Sequence, residues 1–518
     1  MSRPTATGTT RIRSGDRVAE MSDVRARALR AAGGIVALGA RPGDRVAVLM
    51  RNDIASFEIA SATRLSGTWM VPINWHFHPE EVRYVLEDSG ARILLGHGDL
   101  LARCLACDGI PQGTTLLGVP TPPEIAAAYG VSSDQAALPP GATDWATWVD
   151  AQTPLADPVV PPGSTMLYTS GTTGRPKGVR REPMDDAPLL DFYHHLSGVF
   201  GIRAGMRTVM TGPLYHSAPL AYAQVGLRLG CDMLLMPRFD AEGFLALVER
   251  ERITHCHLVP TMLVRLLRLP LEVRDRYDVS SLESVTHGAA PCPPEVKRAI
   301  IEWWGPILRE YYGSTECSLI ASASSAEWLA RPGTVGLPSP GARVEVRDED
   351  GRPVSAGTLG EIWVRLAQAP DFTYHNRDDA RREMEHDGLL ATGDLGSLDS
   401  DGYIYVQDRK KDMVISGGVN IYPAEVEAVL AGHPEVRDCA VFGIPDEEYG
   451  ESLACAIERE PGSTLDADTV RDWLRGRLAS YKVPRVVAFH DALPRLDNGK
   501  IYKTGLREPY WRDARRRI

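Results

Sequence analysis

The stretch richest in chemistry is Tyr168-Thr-Ser-Gly-Thr-Thr-Gly-Arg-Pro-Lys-Gly-Val179. Gly171 and Gly174 allow close backbone approach, Thr169, Ser170, Thr172 and Thr173 supply hydroxyls, and Lys177 supplies a cation, a set that suits a polyphosphate cradle. It is not a Walker loop, which places Lys between Gly and Ser/Thr; here Pro176 precedes Lys177 and Gly178 follows it. The apolar run 165–168 ahead of the loop reads as a strand that would hold one end of it.

Further segments carry chemistry in chain order: Pro213-Leu-Tyr-His-Ser-Ala-Pro219, His287-Gly-Ala-Ala-Pro291, Tyr311-Tyr-Gly-Ser-Thr-Glu316, Thr392-Gly-Asp394, Asp408-Arg-Lys-Lys-Asp412, Gly417-Gly-Val-Asn-Ile-Tyr-Pro423 and Leu493-Pro-Arg-Leu-Asp-Asn-Gly-Lys500. With the loop, these motifs resemble, in type and order, those of the adenylate-forming superfamily. That superfamily includes acyl-CoA synthetases, luciferase-like enzymes and the adenylation domains of peptide synthetases, and the N-terminal region is similar to the bacterial acyl-CoA synthetase branch.

The resemblance implies an AMP-forming acid–thiol ligase that uses ATP, Mg²⁺ and coenzyme A. A carboxylate must approach the α-phosphate of ATP, so the site must offset like-charge repulsion and the charge of departing pyrophosphate. By resemblance, residues 169–177 wrap the β- and γ-phosphates, Thr315 donates toward the α-phosphate and Glu316 holds Mg²⁺. Asp394 would accept from the ribose hydroxyls with Arg409 beside it, Tyr312 would stack on adenine, and Gly288, Ala289 and Ala290 would edge the base. His216 matches a position that gates the acyl pocket. Lys500 matches the lysine that bridges carboxylate and α-phosphate during adenylation, and Lys411 the hinge about which the small domain rotates. After rotation, Gly417 and Gly418 would admit the pantetheine arm.

Cys317-Ser318-Leu319 follows Glu316 where many relatives of this branch carry small residues, which leaves the size and identity of the acid open. The acceptor is open too: a carrier protein, an amine, or an arylamine in members that activate nitrite are alternatives to coenzyme A. A noncatalytic relative would lose Lys500, Glu316 or Asp394, and all three are present.

The elements that must position these residues alternate between helix and strand. Val24, Ala28, Ala31, Ile35 and Leu38 recur at helical spacing with Ser22 as the expected cap, and 46–50 reads as a buried strand. Pro79 opens a helix before a strand at 92–95; a strand at 233–236, a helix at 240–252 and a strand at 256–259 repeat the unit. This alternation predicts layered α/β subdomains with largely parallel sheets. Near residue 340 a hairpin around Asp350-Gly351 announces a β-subdomain, and from 408 a compact α+β pattern follows, with helices from Pro423 and over 468–478. The expected division is a large AMP-binding domain over 1–407 and a small mobile domain over 408–518. The Pro- and Ala-rich residues 119–163 read as a surface excursion.

Composition narrows the class. A chain of 518 residues exceeds one core, and 43% hydrophobic with 24% charged residues is ordinary for a globular protein. No apolar run approaches the about 18 residues of a spanning helix, and 1–20 lacks an apolar signal region, so a cytoplasmic location is expected. A net charge of −11 argues against nucleic-acid binding despite the basic tail at Arg512, Arg515, Arg516 and Arg517. The partner is a small-molecule acid, with a homodimer among the open oligomeric states. Eight dispersed cysteines read as buried thiols, and His255-Cys256-His257, on alternating strand faces, makes a poor metal cage.

Overall fold

The computed structural model describes residues 10–160, 164–169, 176–416, 419–446, 448–495 and 501–512. Strand Arg207–Met210 pairs in parallel with Asp232–Leu235 and His255–Leu258; Ser284–His287 and Leu308–Ser314 extend the sheet in the same direction. Antiparallel Ser318–Ser324 then turns back along Leu308–Ser314. Parallel strands are buried on both faces, and here both faces are covered. Helices Met21–Ala37, Ile54–Leu65, Asp186–Phe200 and Ser217–Arg228 contribute to the core on one side, and Ala241–Glu251, Pro260–Leu267 and Pro294–Trp304 to the core on the other. Each fully buried Leu, Ile or Phe in these layers contributes about 1.5–3 kcal/mol.

A second sheet is wholly parallel, with Arg45–Leu49 between Trp69–Pro72 and Ile93–His97 and with Thr115–Val119 and Thr143–Asp144 beyond. The expected β-subdomain is present: Ala342–Arg347 pairs with Gly360–Leu366, Val344 opposite Val364, and Leu389–Leu398 lies alongside. Beyond strand Ile404–Arg409 the chain enters another sheet, centred on Gly450–Arg459 and covered by helices Pro423–Ala431 and Ala467–Arg475.

Three local expectations need correction. The first helix is capped at Glu20, and Ser22 lies inside its first turn. Ahead of it, Arg11–Ser14 and Arg17–Glu20 form a hairpin whose two-residue turn uses Gly15 at φ 55°, and Arg11–Ser14 joins the main sheet in parallel with Asp232–Leu235. Residues 119–160 are no mere excursion: Ile125, Trp145 and Val149 are buried. The Trp145 indole N–H donates to Glu58 Oε2 at 2.6 Å, while Arg27 donates to Oε1 at 2.7 Å. The composition of that stretch hid these few apolar anchors. Finally, Cys107 is exposed, whereas six of the other cysteines are buried.

Trp145→Phe removes the indole donor and leaves a buried Glu58 oxygen without it. The loss is expected to cost about 1–3 kcal/mol and to lower the thermal midpoint of the large-domain transition in calorimetry. An unchanged midpoint would show that this bond does not anchor the 119–160 region.

Candidate active site

The main parallel sheet delivers three motifs at the carboxyl ends of its strands, where open α/β sheets bind ligands. After Arg207–Met210 comes the loop leading to His216. Asn52 clamps that loop, donating to the Gly212 carbonyl at 2.8 Å and accepting from the Leu214 amide at 2.8 Å. His216 occupies the N-cap position of helix Ser217–Arg228, its ring 4.5 Å from that of Tyr215.

After Ser284–His287 comes the Gly288–Ala289–Ala290 turn. A Cβ on Gly288 would stand 2.6 Å from Tyr311 Cζ, so only glycine fits, and Ala289 holds a positive φ of 67°. His287 itself, in register with Glu310, is fully buried beside the Lys297–Glu310 ion pair. Burial, then Lys297, pushes its pKa well below the usual histidine range, so it is neutral structure behind the turn.

The third motif is the hairpin between Leu308–Ser314 and Ser318–Ser324. A side chain at Gly313 would meet the Ser318 carbonyl at 2.1 Å, and the Cys317 amide donates to Ser314 Oγ at 3.0 Å, closing the turn that presents Thr315 and Glu316. The Glu316 carboxylate accepts from Thr169 Oγ1 at 3.4 Å and from the Tyr374 hydroxyl at 3.2 Å. Arg181 donates to the Thr315 carbonyl at 2.5 Å. Burial lowers the Arg181 pKa and the neighbouring Glu316 charge partly restores it. Cys317 packs in the β-subdomain core, and burial pushes its thiol up to about 12, so it is inert.

Thr169 and Lys177 end the paired strands Met166–Thr169 and Lys177–Arg181, directly opposite each other. The Tyr168 hydroxyl donates to Asp88 at 2.6 Å, and the Lys177 ammonium lies 5.1 Å from the centre of the Tyr374 ring. Ser170, Gly171, Thr172, Thr173 and Gly174 fall outside the described residues, as do Gly417, Gly418 and Lys500. The segment that carries Lys500 is flanked by described neighbours: Arg495 bridges to Ile501, and the Tyr502 amide donates to the Pro494 carbonyl at 2.7 Å.

Asp394 is buried where strands Leu389–Leu398 and Ile404–Arg409 pair in register with Arg409. Its Oδ2 accepts from the Tyr312 hydroxyl at 2.6 Å and its Oδ1 from Arg409 Nε at 2.7 Å. Burial and Asp394 push the Tyr312 phenol far up, so it stays protonated as a donor. Three residues expected around one nucleoside, from segments about 80 and 15 positions apart, therefore meet here. Lys411 is exposed in the turn beyond, where the Asp412 amide donates to the Arg409 carbonyl at 3.0 Å.

Sequence reasoning missed Asn52, Arg181 and Tyr374. Arg181 was the nearest to legible, as the last residue of the strand that leaves the hydroxyl-rich loop. Asn52 and Tyr374 sit far from any motif, and only the folded chain brings them in.

Comparison with known proteins agrees with this geometry. The AMP-binding enzyme model matches residues 9–369 and the AMP-binding enzyme C-terminal domain model residues 425–500. A feruloyl-CoA synthase of Amycolatopsis is 35% identical over 509 residues, covering 97% of this chain and 96% of that one. An indoleacetate–CoA ligase of Aromatoleum aromaticum is 32% identical over 507 residues, covering 97% and 95%. Among solved structures, the amide bond synthetase McbA of Marinactinospora thermotolerans superposes with a TM-score of 0.80 at 26% identity, covering 97% of each chain. The chain thus belongs to the AMP-binding enzymes of the adenylate-forming superfamily.

Proposed function

We propose that this enzyme adenylates a carboxylic acid with ATP and transfers the acyl group to coenzyme A. The observation that carries the reading is the contact of Glu316 with Thr169, which sets an acidic turn against the mouth of the hydroxyl-rich loop. A polyphosphate held by 169–177 would there meet a carboxylate suited to a hard cation.

In this reading a carboxylate oxygen of the acid attacks the α-phosphorus, the bond to the β-phosphate breaks, and pyrophosphate leaves. Thr169, Ser170, Gly171, Thr172, Thr173, Gly174 and Lys177 hold the departing phosphates, and Thr315 donates to the α-phosphate. Glu316 would hold Mg²⁺, which when bound offsets phosphate charge; the Glu316 carboxylate, whose Oε1 accepts from both Thr169 and Tyr374, fits a hard cation. Asp394, with Arg409 and Tyr312 already on its two oxygens, takes the ribose by exchanging partners, and Gly288, Ala289 and Ala290 edge the base. Lys500 supplies a cation between the two reacting anions. The thiolate of coenzyme A then attacks the acyl carbon past Gly418, AMP leaves, and His216 guards the acyl entrance. The joint at Lys411 lets one small domain serve both steps.

The acyl-CoA ligase relatives support a thiol acceptor, and the amide bond synthetase likeness favours a nitrogen acceptor as the second reading. Coenzyme A is therefore expected to accelerate AMP release with the best acid, and Gly418→Trp to block that acceleration while pyrophosphate exchange persists. AMP release driven by an amine and indifferent to coenzyme A would instead establish the second reading.

Lys500→Ala should lower the rate of adenylation by about 10²-fold or more, a loss of roughly 3 kcal/mol of transition-state stabilisation. Thioester formation from a supplied acyl-adenylate should survive. Equal loss in both half-reactions would contradict the assignment. Lys411→Pro, which fixes φ at the joint, should slow the thioester step more than adenylation, as single-turnover assays of each half-reaction can resolve; equal rates in variant and wild type would move the joint elsewhere.

A further inference from the structure

Helix Pro79–Ser89 packs on the second parallel sheet, yet two of its side chains reach the paired strands that carry the hydroxyl-rich loop. Its start is fixed by Pro79 and by the His78 amide, which donates to Glu81 Oε2 at 2.8 Å, and it ends at Gly90 with φ 68°. Val82, Val85 and Leu86 are buried in one core with Leu49 and Leu94 of that sheet and with Met166, on the first strand of the loop-bearing pair. Tyr84 and Asp88 stand four residues apart and so share a face of the helix. The Tyr84 hydroxyl donates to the Pro176 carbonyl at 3.2 Å, and Asp88 Oδ2 accepts from the Tyr168 hydroxyl at 2.6 Å. One helix face thus holds the chain where it enters the loop, at Tyr168 in Met166–Thr169, and where it leaves, just before Lys177–Arg181.

The hold works because the Tyr168 ring crosses to the neighbouring strand. Tyr168 is in register with Gly178, and a Cβ on Gly178 would stand 3.2 Å from Tyr168 Cζ. The Gly178 carbonyl accepts from the His375 amide at 2.8 Å, and Asn376 Nδ2 donates to the Asp88 carbonyl at 3.5 Å, so the segment after Phe372–Tyr374 closes over the same corner. Burial, then Asp88, pushes the Tyr168 phenol far above its ordinary value, so it stays protonated and donates to the carboxylate. A hydrogen bond to a carboxylate is of the strong, charge-assisted class. Thr169, next in the chain, is the residue that meets Glu316. Among the described residues, the bonds that join Tyr312, Asp394 and Arg409 involve neither Tyr84, Asp88 nor Tyr168. The brace therefore bears on the phosphate end of the proposed nucleotide site.

We propose that Asp88, assisted by Tyr84, is a positioning residue for triphosphate binding. Through the Tyr168 hydroxyl it fixes the stem of the hydroxyl-rich loop, so its loss is felt by the β- and γ-phosphates of ATP and not by a nucleoside monophosphate. The inference rests on the reading above in which residues 169–177 hold those phosphates. It assigns to a helix of the second sheet, far from every motif in the sequence, the task of setting the loop, and the close packing of that helix resists displacement.

The test is calorimetric titration of the full-length enzyme with ATP and with AMP, each with Mg²⁺ and without an acid. AMP lacks the two phosphates in question, so a residue that only supports the fold shifts both affinities alike. Asp88→Ala should weaken ATP binding by about tenfold or more and leave AMP binding within about twofold of wild type. Asp88→Asn keeps an oxygen that accepts from the Tyr168 hydroxyl and should restore ATP binding to within about threefold of wild type. Tyr168→Phe keeps the ring over Gly178 and should match Asp88→Ala, and the double variant should be no weaker than either single one, as for two partners in one bond. If Asp88→Ala fails to fold, the two titrations of Tyr168→Phe decide. Equal weakening of ATP and AMP, or no weakening of either, would overturn the assignment of Asp88 while wild-type binding of ATP sustains the adenylation reading. A wild-type enzyme that binds neither nucleotide would overturn both.

Discussion

Everything in this site answers to one electrostatic constraint: two anions, a carboxylate and a polyphosphate, must be brought into contact away from bulk water. At about 4 Å, two unit charges repel by about 4 kcal/mol in a partly screened protein environment. Among the described residues, two arginines beside this site are already engaged. Arg181 is committed to the Thr315 carbonyl and Arg409 to Asp394, so Lys177 stands nearest the phosphate loop. The proposed remainder of the positive charge, Lys500 and a metal at Glu316, comes from outside the rigid sheet. In the proposed mechanism a second domain completes the site, and the same dependence would let that domain withdraw its charge once the adenylate has formed.

The segment around the proposed joint at Lys411 is held on both sides. Asp408 is buried, and its carboxylate accepts from the amide of Arg409 on one side and of Ala424, in the first turn of helix Pro423–Ala431, on the other. Lys410 is tied back to the β-subdomain through Glu361 at 2.9 Å and through the Gly393 carbonyl. Lys411 follows, exposed, in the turn before the next sheet. Further out, Arg268 on the large domain pairs with Glu460 at 3.4 Å and donates to the Arg437 carbonyl. Among the described residues these two contacts are exposed, which suits the surface that would open in the proposed two-step reaction.

The sequence was most readable where local chemistry and fold demand the same residue. Gly288 and Gly313 are needed both by tight turns and by motif, so each could be placed without coordinates. The alternation of helix and strand was legible for a similar reason, since burial on both faces of a parallel sheet imposes long apolar runs. Legibility failed where a residue matters only through a distant neighbour. Glu58 and Trp145 lie 87 positions apart, and nothing near either one announces the bond. Tyr311 and Tyr312 are adjacent and alike in sequence, yet the pleat sends Tyr312 to Asp394 and Tyr311 to His257 in the core. The departure at Cys317 leaves the acid open in the sequence, and in the folded chain the thiol packs into the β-subdomain core.

The central claim is that activation proceeds through attack of the acid on the α-phosphate. It is tested most directly by following oxygen. With the accepted acid labelled with ¹⁸O in its carboxylate, turnover with ATP and coenzyme A should release AMP carrying one labelled oxygen, seen by mass spectrometry, together with unlabelled pyrophosphate. Label recovered in inorganic phosphate alongside ADP would mean attack at the γ-phosphate and would contradict the account.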